Sequence, residues 1–198
     1  IAGQQSGGRG RMGRSFHSPA GSGIYMSVLL RPNCAPAELM HLTCAAATAA
    51  CDAVEDAVGI RPGIKWTNDL IYGQKKLAGI LTELGLDAKG RVSYAIIGIG
   101  INCQQQAADF PEEIRGMAGS LASVTGKPVE NARVAAALLV ALEKMDRELL
   151  SGKGAMLERY HRDCVTLGRQ ICLVKGDEIR HGTALDIDSQ GALIVRFE

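Results

Sequence analysis

The sequence lacks an excess of charge of either sign. Its 198 residues include 22 basic and 21 acidic side chains, and this balance leaves no general footprint for nucleic acid or a membrane surface. It also lacks an apolar run of the about 20 residues that a membrane-spanning helix needs, and no signal-peptide pattern opens it. We therefore expect neither nucleic acid nor a membrane as a partner. The chain starts at Ile1 in loop-like sequence, and we expect it to lack its natural start.

Cysteines in metal-binding spacing are missing too. The six cysteines form no C-x-x-C pair and no tight cluster with histidine, so no metal site is expected. Cys44 and Cys51 lie in an alanine-rich helical segment, where they fit as small buried apolar residues. Free cysteines of this kind are typical of a reduced, cytoplasmic protein.

Short apolar runs interrupted by polar residues mark the stretch from Ile64 to Leu84. Turn-forming residues at 67–69 and 73–74 divide it into three predicted strands, which are Ile64–Trp66, Leu70–Tyr72 and Leu77–Leu84. The bends of this meander carry two lysines, an amide and a carboxylate, namely Lys65, Lys76, Asn68 and Asp69. Such a set suits a phosphate-bearing ligand, and a solvated hairpin with surface lysines explains it equally well.

The segment from Gln4 to Arg14 contains four glycines and three arginines. Glycines let a backbone approach a phosphate, and arginines supply donors in a fixed fork. The segment is not a Walker loop, because no Gly-Lys-Ser/Thr follows. The alternative is a disordered Arg/Gly segment that binds RNA, for which strongly salt-dependent binding would be the sign.

Two long helices are predicted at Ala37–Val58 and Asn131–Leu150, each with a continuous apolar stripe. Asn131 is expected to cap the second helix, and His41 in the first is expected to be exposed or half-buried. Strand-rich hairpins lie between these separated helices. This pattern favours an α+β fold, with a mixed, mostly antiparallel sheet covered by helices on one face.

The predicted strand Tyr94–Ile101 contains Gly98 and Gly100. Glycines weaken a strand unless something approaches it closely, so a ligand lying on this strand would explain them. Asn102, at the end of the strand, can present its amide to a purine or can simply terminate the strand.

Short strands follow Gly168, at residues 170–174, 179–187 and 192–197. The chain is long enough for one core of ordinary size plus a small appendage. We therefore expect one domain at 1–167 and a β module at 168–198. A closed barrel needs more than three strands, so this module is expected to be incomplete.

Four motifs occur in a fixed order along the chain. They are Gly8-Arg9-Gly10-Arg11-x-Gly13-Arg14, Lys65-Trp66-x-Asn68-Asp69-Leu70, Lys76-Leu77-Ala78-Gly79-Ile80-Leu81 and Gly98-Ile99-Gly100-Ile101-Asn102. Together they resemble biotin–protein ligase, and the resemblance covers nearly the whole chain. The β module resembles the small SH3-like barrel that follows the catalytic domain in that family. The family usually has proline where Thr67 stands, a departure that removes no functional group.

The resemblance implies ATP-dependent biotinylation of a specific lysine on a biotin carboxyl carrier protein, through biotinyl-5'-AMP. Biotin and ATP are the implied substrates, with Mg²⁺ bound mainly through phosphate oxygens. It also allows a homodimer. Two alternatives share the fold: a lipoate or octanoate ligase or transferase, and an adenylate-sensing transcriptional repressor whose helix-turn-helix would precede this chain.

Matching of positions implies roles for individual residues. The implied catalytic residues are Lys76, Arg11 and Asp69. The implied biotin-binding residues are Gln5, Gly8, Arg9, Gly10, Arg11, Lys76 and Gly79. The implied ATP- or adenylate-binding residues are Arg9, Arg11, Arg14, Phe16, Asn68, Lys76 and Asn102. Phe16 stands where the family often carries an aromatic residue over adenine, although an ordinary core phenylalanine fits the position equally well.

Overall fold

The computed structural model describes residues 1–197. Its larger part is a five-stranded sheet with the order β1-β5-β4-β3-β2. The strands are β1 Gly23–Leu30, β2 Gly63–Lys65, β3 Asp69–Tyr72, β4 Lys75–Leu86 and β5 Val92–Asn102. Neighbouring strands run antiparallel throughout this sheet. The predicted α+β class is confirmed, as are the central meander and its turns.

The helices are α1 Leu42–Val58, α2 Glu112–Arg115, α3 Leu121–Thr125, α4 Asn131–Glu148 and α5 Lys153–Asp163. Of these, α1, α4 and α5 pack on one face of the sheet. In β5 the alternate residues Ala95, Ile97, Ile99 and Ile101 are buried in the core that the sheet shares with α1 and α4. The intervening residues Ile96, Gly98 and Gly100 are half-buried on the opposite side, which we call the open face. No helix within residues 1–197 is long and apolar enough to cross a membrane.

Three predictions about the helices are wrong, and two of them concern the first helix. The first helix does not run unbroken from residue 37, because a 3-10 turn at Pro36–Leu39 precedes α1. His41, at the junction, is 1% exposed rather than half-buried, and its Nε2 lies 2.9 Å from the carbonyl oxygen of Leu149. Burial lowers the pKa of His41, which favours a neutral imidazole between α1 and the end of α4.

Asn131 does not cap α4, because the N-cap position belongs to Glu130. The Asn131 amide donates instead to the carbonyl oxygens of Gly21, at 2.9 Å, and Gly23, at 3.4 Å. A side chain expected to act within its own helix therefore ties that helix to the start of β1.

The C-terminal β module is a three-stranded antiparallel sheet of β6 Gln170–Lys175, β7 Glu178–Ile187 and β8 Leu193–Phe197. Its turn at 188–191 reaches the larger domain, where Gly191 accepts a hydrogen bond of 3.0 Å from Trp66 Nε1. A Cβ at Gly191 would lie 2.7 Å from Cys44 Sγ, and the backbone φ there is +84°, so the close contact requires glycine. The domain boundary at 167/168 stays a prediction, and Glu198 lies outside the described residues.

A network of charges joins α1, the chain before β2 and α5. The Arg61 guanidinium lies 2.6 Å from Asp163, 2.9 Å from Asp52 and 2.6 Å from Glu55. Burial by itself would raise the pKa of Asp163, but hydrogen bonds from Arg162 and Arg61 lower it overall. A carboxyl group with a lowered folded-state pKa stabilises the fold above its ordinary pKa. That stability is lost as the pH falls through the folded-state value.

We expect Asp163→Asn to lower the free energy of unfolding by about 2 kcal/mol at pH 7, because a charged, buried acceptor of two arginines is lost. The exposed ion pair between Glu143 and Arg147 provides the control, since Glu143→Gln should cost no more than about 0.5 kcal/mol. Denaturant unfolding measures both. The difference between wild type and Asp163→Asn should shrink below the ordinary carboxyl pKa, and equal losses from the two variants would contradict this account.

Candidate functional site

The open face carries one row of residues that cross the sheet at the same level. Tyr25 pairs with Gly100, Gly100 with Gly79, and Gly79 with Asp69. The Phe16 ring lies above the two glycines: a Cβ on Gly100 would overlap the ring, and one on Gly79 would lie 3.1 Å from it. The two glycines form a floor on which an aromatic ring rests.

Gly98 is not approached in this way by the described residues. The nearest atom to a Cβ at Gly98 would be the carbonyl oxygen of Leu81, at 3.6 Å, which is ordinary van der Waals contact. The close approach expected at these glycines therefore occurs at Gly100, where the Phe16 ring lies. At Gly98 no described protein atom comes closer than ordinary contact. Contact of a ligand with Gly98 stays a prediction.

A β-bulge directs Lys76 to the open face. The pairing of β4 with β3 shifts at Leu77, which has no direct partner. Leu77 and Ala78 are consecutive, yet both are fully buried, and Lys76 Nζ ends 3.4 Å from the Cβ position of Gly79. Without the bulge, regular alternation would place Lys76 and Gly79 on opposite faces.

The two neighbouring lysines point to different partners. Lys76 Nζ lies 2.7 Å from Asp69 Oδ1, and the two side chains are 39% and 24% exposed. Lys75 Nζ donates to the carbonyl oxygen of Gly116 at 2.9 Å. The Lys76 ammonium therefore lies beside the Asp69 carboxylate at the row of glycines. The Lys75 ammonium is hydrogen-bonded to a backbone carbonyl at the surface.

The Arg/Gly segment lies against the open face through exposed contacts. Arg9 forms an ion pair of 2.9 Å with Glu83 on β4, and Arg11 donates to Asn68 Oδ1 at 3.0 Å. Exposed pairs of this kind contribute little to stability. The half-buried Phe16 ring, two residues after this segment, adds an apolar contact with the sheet.

Backbone contacts shape the same segment. Phe16 N donates to the carbonyl oxygen of Gly8 at 2.9 Å, and Gly10 N donates to that of Arg14 at 2.7 Å. Ser18 Oγ donates to Gln5 Oε1 at 2.8 Å, so the amide nitrogen of Gln5 remains available as a donor for a ligand. Ser18 carries no motif signal of its own, and sequence reasoning missed it.

Asn102, at the end of β5, contacts other parts of the protein. It is 5% exposed, its Nδ2 donates to the carbonyl oxygen of Gly119 at 2.9 Å, and its Oδ1 accepts from Gln105 at 3.3 Å. Lys76 and Phe16 meet at Gly79 on the open face. Asn102 follows Gly98 and Gly100 in the alternation of β5, but its amide is engaged by Gly119 and Gln105, and adenine recognition by this residue stays a prediction.

Hydrogen bonds from α5 and from the chain that follows it hold the turn that contains Asn68. Tyr160 donates its hydroxyl to the carbonyl oxygen of Thr67 at 3.0 Å, and Trp66 N donates to Thr166 at 2.8 Å. Burial raises the pKa of the Tyr160 hydroxyl, which keeps it protonated as a donor. The one-turn spacing of Met156 and Tyr160 marks the buried side of α5, but no sequence pattern shows that it reaches this turn.

The glycine row lies on the open face of the sheet. Cavities of about 20 Å³ beside His41 and about 300 Å³ between α5 and the turn after β7 lie elsewhere in the described residues. Because the Phe16 ring already rests on Gly79 and Gly100, a ligand at the glycine row would lie beside this ring or displace it.

Comparison with known proteins matches this architecture. Residues 1–102 match the model of the biotin/lipoate A/B protein ligase family, and residues 166–198 match that of the biotin protein ligase C-terminal domain. Over the full length of this chain, it is 37% identical to a bifunctional ligase/repressor BirA of Bacillus spizizenii, and the match covers 61% of that protein. It thus spans about three fifths of the length of that relative.

Two further similarities cover more of the matched chains. A biotin–[acetyl-CoA-carboxylase] ligase of Mycobacterium tuberculosis is 31% identical over 98% of this chain and 71% of that protein. A biotin protein ligase from Aquifex aeolicus, solved in complex with biotin and ATP, superimposes with a TM-score of 0.82 at 27% identity. That match covers 99% of this chain and 83% of the other.

The resemblance that the four sequence motifs indicated is thereby confirmed, together with the fold that it implied. The chain belongs to the biotin/lipoate protein ligase family.

Proposed function

We propose that this chain carries the catalytic part of an ATP-dependent ligase. The ligase would activate biotin as biotinyl-5'-AMP and transfer the biotinyl group to a specific lysine of a biotin carboxyl carrier protein. The observation that carries this proposal is the Lys76–Asp69 ion pair of 2.7 Å, set beside a glycine floor under an aromatic ring. The names of the relatives support biotin and ATP as the substrates.

The first step joins two anions. A biotin carboxylate oxygen attacks the α-phosphorus of ATP, the bond from that phosphorus to the bridging oxygen breaks, and pyrophosphate leaves with that oxygen. The two anions repel each other, and an ammonium between them offsets the repulsion, more so as charge builds in the transition state. Lys76, at the glycine row, would supply this ammonium, and Arg9 and Arg11 would bind phosphate oxygens.

The second step transfers the acyl group. The neutral amine of the acceptor lysine attacks the carbonyl carbon of the mixed anhydride, the bond to the phosphate oxygen breaks, and AMP leaves. Asp69, 24% exposed beside Lys76, could orient that amine and receive its proton. No enzyme nucleophile is needed, so the chain acts by positioning and charge stabilisation.

Magnesium would accompany ATP. Within residues 1–197 no three histidine, cysteine, aspartate or glutamate side chains come together as a metal-binding group. The carboxylate nearest the glycine row, Asp69, is paired with Lys76. These residues fit a Mg²⁺ ion held mainly by phosphate oxygens and water, the usual arrangement at nucleotide sites.

Lipoate or octanoate is the second candidate substrate, because the matched family model includes lipoate ligases by name. The Arg/Gly segment and the Lys65–Asp69 motif favour biotin. Titration calorimetry of the full-length protein with biotin, lipoate and ATP distinguishes them. Binding heat with biotin that increases when ATP is present supports the proposal. Binding heat with lipoate and none with biotin overturns it. Cytoplasmic localisation and a homodimer also belong to this proposal, the former supported by six free cysteines.

Lys76→Ala should slow adenylate formation by two or more orders of magnitude, about 3 kcal/mol in the barrier, because the cation between the two reacting anions is lost. Lys75→Ala is the matched control and should change the rate little, since the Lys75 ammonium contacts a surface carbonyl. Single-turnover release of pyrophosphate measures the rate, and circular dichroism checks folding. Equal losses from both variants would indicate a general basic patch instead.

Gly98→Val should abolish biotin binding while the domain still folds. The Cβ position of Gly98 is free of close protein contacts, so a valine there can block a ligand without displacing the fold. Ser93→Val, at an exposed position of the same strand, should bind normally. Calorimetry with biotin is the measurement, and normal affinity in Gly98→Val would remove this glycine from the ligand site.

Residues 7–14 should gain protection from hydrogen exchange when biotin and ATP are added together, because the weak exposed contacts of Arg9 and Arg11 are replaced by phosphate contacts. The β4–β5 turn at 87–91, at the other end of the sheet, should show unchanged exchange. Unchanged exchange in both segments would exclude closure of the Arg/Gly segment over the ligand.

A further inference from the structure

The row of residues that crosses the open face extends one position beyond Asp69. Lys65 on β2 is the direct cross-strand partner of Asp69 on β3. Both side chains lie on the open face, because the adjacent residues Ile64 and Leu70 are fully buried on the other face. Directly opposite residues have Cβ atoms about 5 Å apart. Asp69 therefore has a lysine on each side, Lys65 from β2 and Lys76 from β4.

The two lysines beside Asp69 differ in their contacts. Of the two, only Lys76 is paired with the Asp69 carboxylate in the described residues, at 2.7 Å. The Lys65 side chain is exposed. The Arg/Gly segment contributes one further cation, Arg11, whose guanidinium donates to Asn68 in the turn between β2 and β3. Lys65 is therefore the lysine of this pair that can meet a group arriving from solvent.

The other neighbours of β2 add no charge on the open face. The chain at 164–168 runs beside β2 through a bridge to Ile64, and its one titratable group is the buried Cys164 thiol. The turn at 188–191 contacts α1 on the opposite face, and its Asp188 carboxylate accepts hydrogen bonds from nearby backbone amides. The charged groups that an arriving side chain would meet are therefore Lys65, Asp69, Lys76 and Arg11.

Among the described residues, the row is open at the Lys65 end. At the far end Tyr25 is 3% exposed, and the Phe16 ring covers the two glycines in the middle. At the near end Lys65 is exposed, and the Asp69 side chain is 24% exposed. An acceptor lysine on the surface of a folded carrier protein would therefore reach Asp69 from the side of Lys65.

Transfer of the biotinyl group requires an uncharged acceptor amine. A lysine ammonium has a pKa of about 10.4 in water, so at pH 7 only about one such group in 2,500 is neutral. A neighbouring anion favours the charged form, and a neighbouring cation favours the neutral form. In the proposed reaction Lys76 contacts the phosphate, which leaves Asp69 to attract the acceptor as an unreactive ammonium. A second cation beside Asp69 offsets that attraction.

We propose that Lys65 meets the acceptor lysine beside Asp69 and favours its neutral, attacking form. This inference rests on the proposed function. The acceptor ammonium first gives one proton to solvent, and the amine nitrogen then bonds to the carbonyl carbon of biotinyl-5'-AMP. The bond from that carbon to the phosphate oxygen breaks, AMP leaves with the bonding electrons, and the second amine proton passes to Asp69. Lys65 makes and breaks no bond, because it acts through its charge alone.

The test follows the transfer step in the full-length protein. The protein is loaded with biotinyl-5'-AMP and mixed with an excess of a biotin carboxyl carrier protein that lacks biotin, from about pH 6.5 to about pH 10.5, a range that spans the ordinary lysine pKa. For Lys65→Ala we expect transfer at pH 7 to be about three- to tenfold slower, because the pH profile moves up by about half to one unit. The difference from wild type should vanish toward the alkaline end, where the amine is largely neutral in both proteins.

Matched variants separate charge from shape and from general surface effects. Lys65→Arg keeps a cation and should transfer like wild type, whereas Lys65→Gln keeps most of the stem and should repeat the effect of Lys65→Ala. Lys75→Ala, which removes a neighbouring surface lysine, should leave the pH profile unchanged. Circular dichroism checks that each variant is folded.

Two further measurements separate the acceptor amine from the rest of the reaction. Pyrophosphate release with biotin and ATP should stay within about twofold of wild type in Lys65→Ala, because Lys65 takes no part in the first step. Hydroxylamine, which is already neutral at pH 7, should cleave bound biotinyl-5'-AMP equally fast in Lys65→Ala and wild type, because it carries no charge for Lys65 to act on.

Three results would overturn the inference. Identical pH profiles in Lys65→Ala and wild type would make Lys65 an ordinary surface lysine. A higher carrier concentration for half-maximal rate at an unchanged pH profile would make it a docking residue for the carrier. Slower pyrophosphate release in Lys65→Ala would place it at the phosphates of ATP. By contrast, a wild-type protein that moves no biotin from biotinyl-5'-AMP to the carrier at any pH would refute the proposed function itself.

Discussion

The close packing of α1 on one face of the sheet is the constraint on which the rest of this structure depends. The side of α1 that contacts the sheet and its neighbouring helices is built largely from alanine, and residues such as Ala46, Ala50 and Ala53 are fully or almost fully buried. Small side chains let the helix approach closely. One face of the sheet is therefore filled by apolar contacts, and polar chemistry is confined to the other face.

The open face then acquires its character from two departures from regular strand structure. Glycines at 79 and 100 remove side chains where a ring must rest, and a bulge at Leu77 brings a lysine to the same side. Three of the cations expected to meet a ligand already have a partner within the protein: Arg9 has Glu83, Arg11 has Asn68 and Lys76 has Asp69. An anionic ligand competes with these contacts, and most of them are exposed enough to be exchanged at small cost.

Local patterns predicted the elements but not the contacts between distant ones. The strands of the meander and the two long helices follow from turn residues and apolar periodicity, which act over a few positions. The bulge at Leu77 is a feature of the pairing between β4 and β3, and regular alternation gave no sign of it. His41 is buried because the end of α4 packs on it. Asn131 does not cap α4 but donates a hydrogen bond to the chain before β1. The four motifs indicated the site, while the supporting contacts of Ser18 and Tyr160 depend on tertiary structure.

The hydrogen bond from Trp66 to Gly191 joins residues 125 positions apart in sequence. A ribosome releases the chain from its N-terminal end, so Trp66 emerges long before its partner exists. The turn at 66–68 is thus completed by a segment that is made well after it. Synthesis itself imposes an order in which the sheet and α1 can assemble early, while the stretch beside Asn68 reaches its final support only when the C-terminal β module has folded against it.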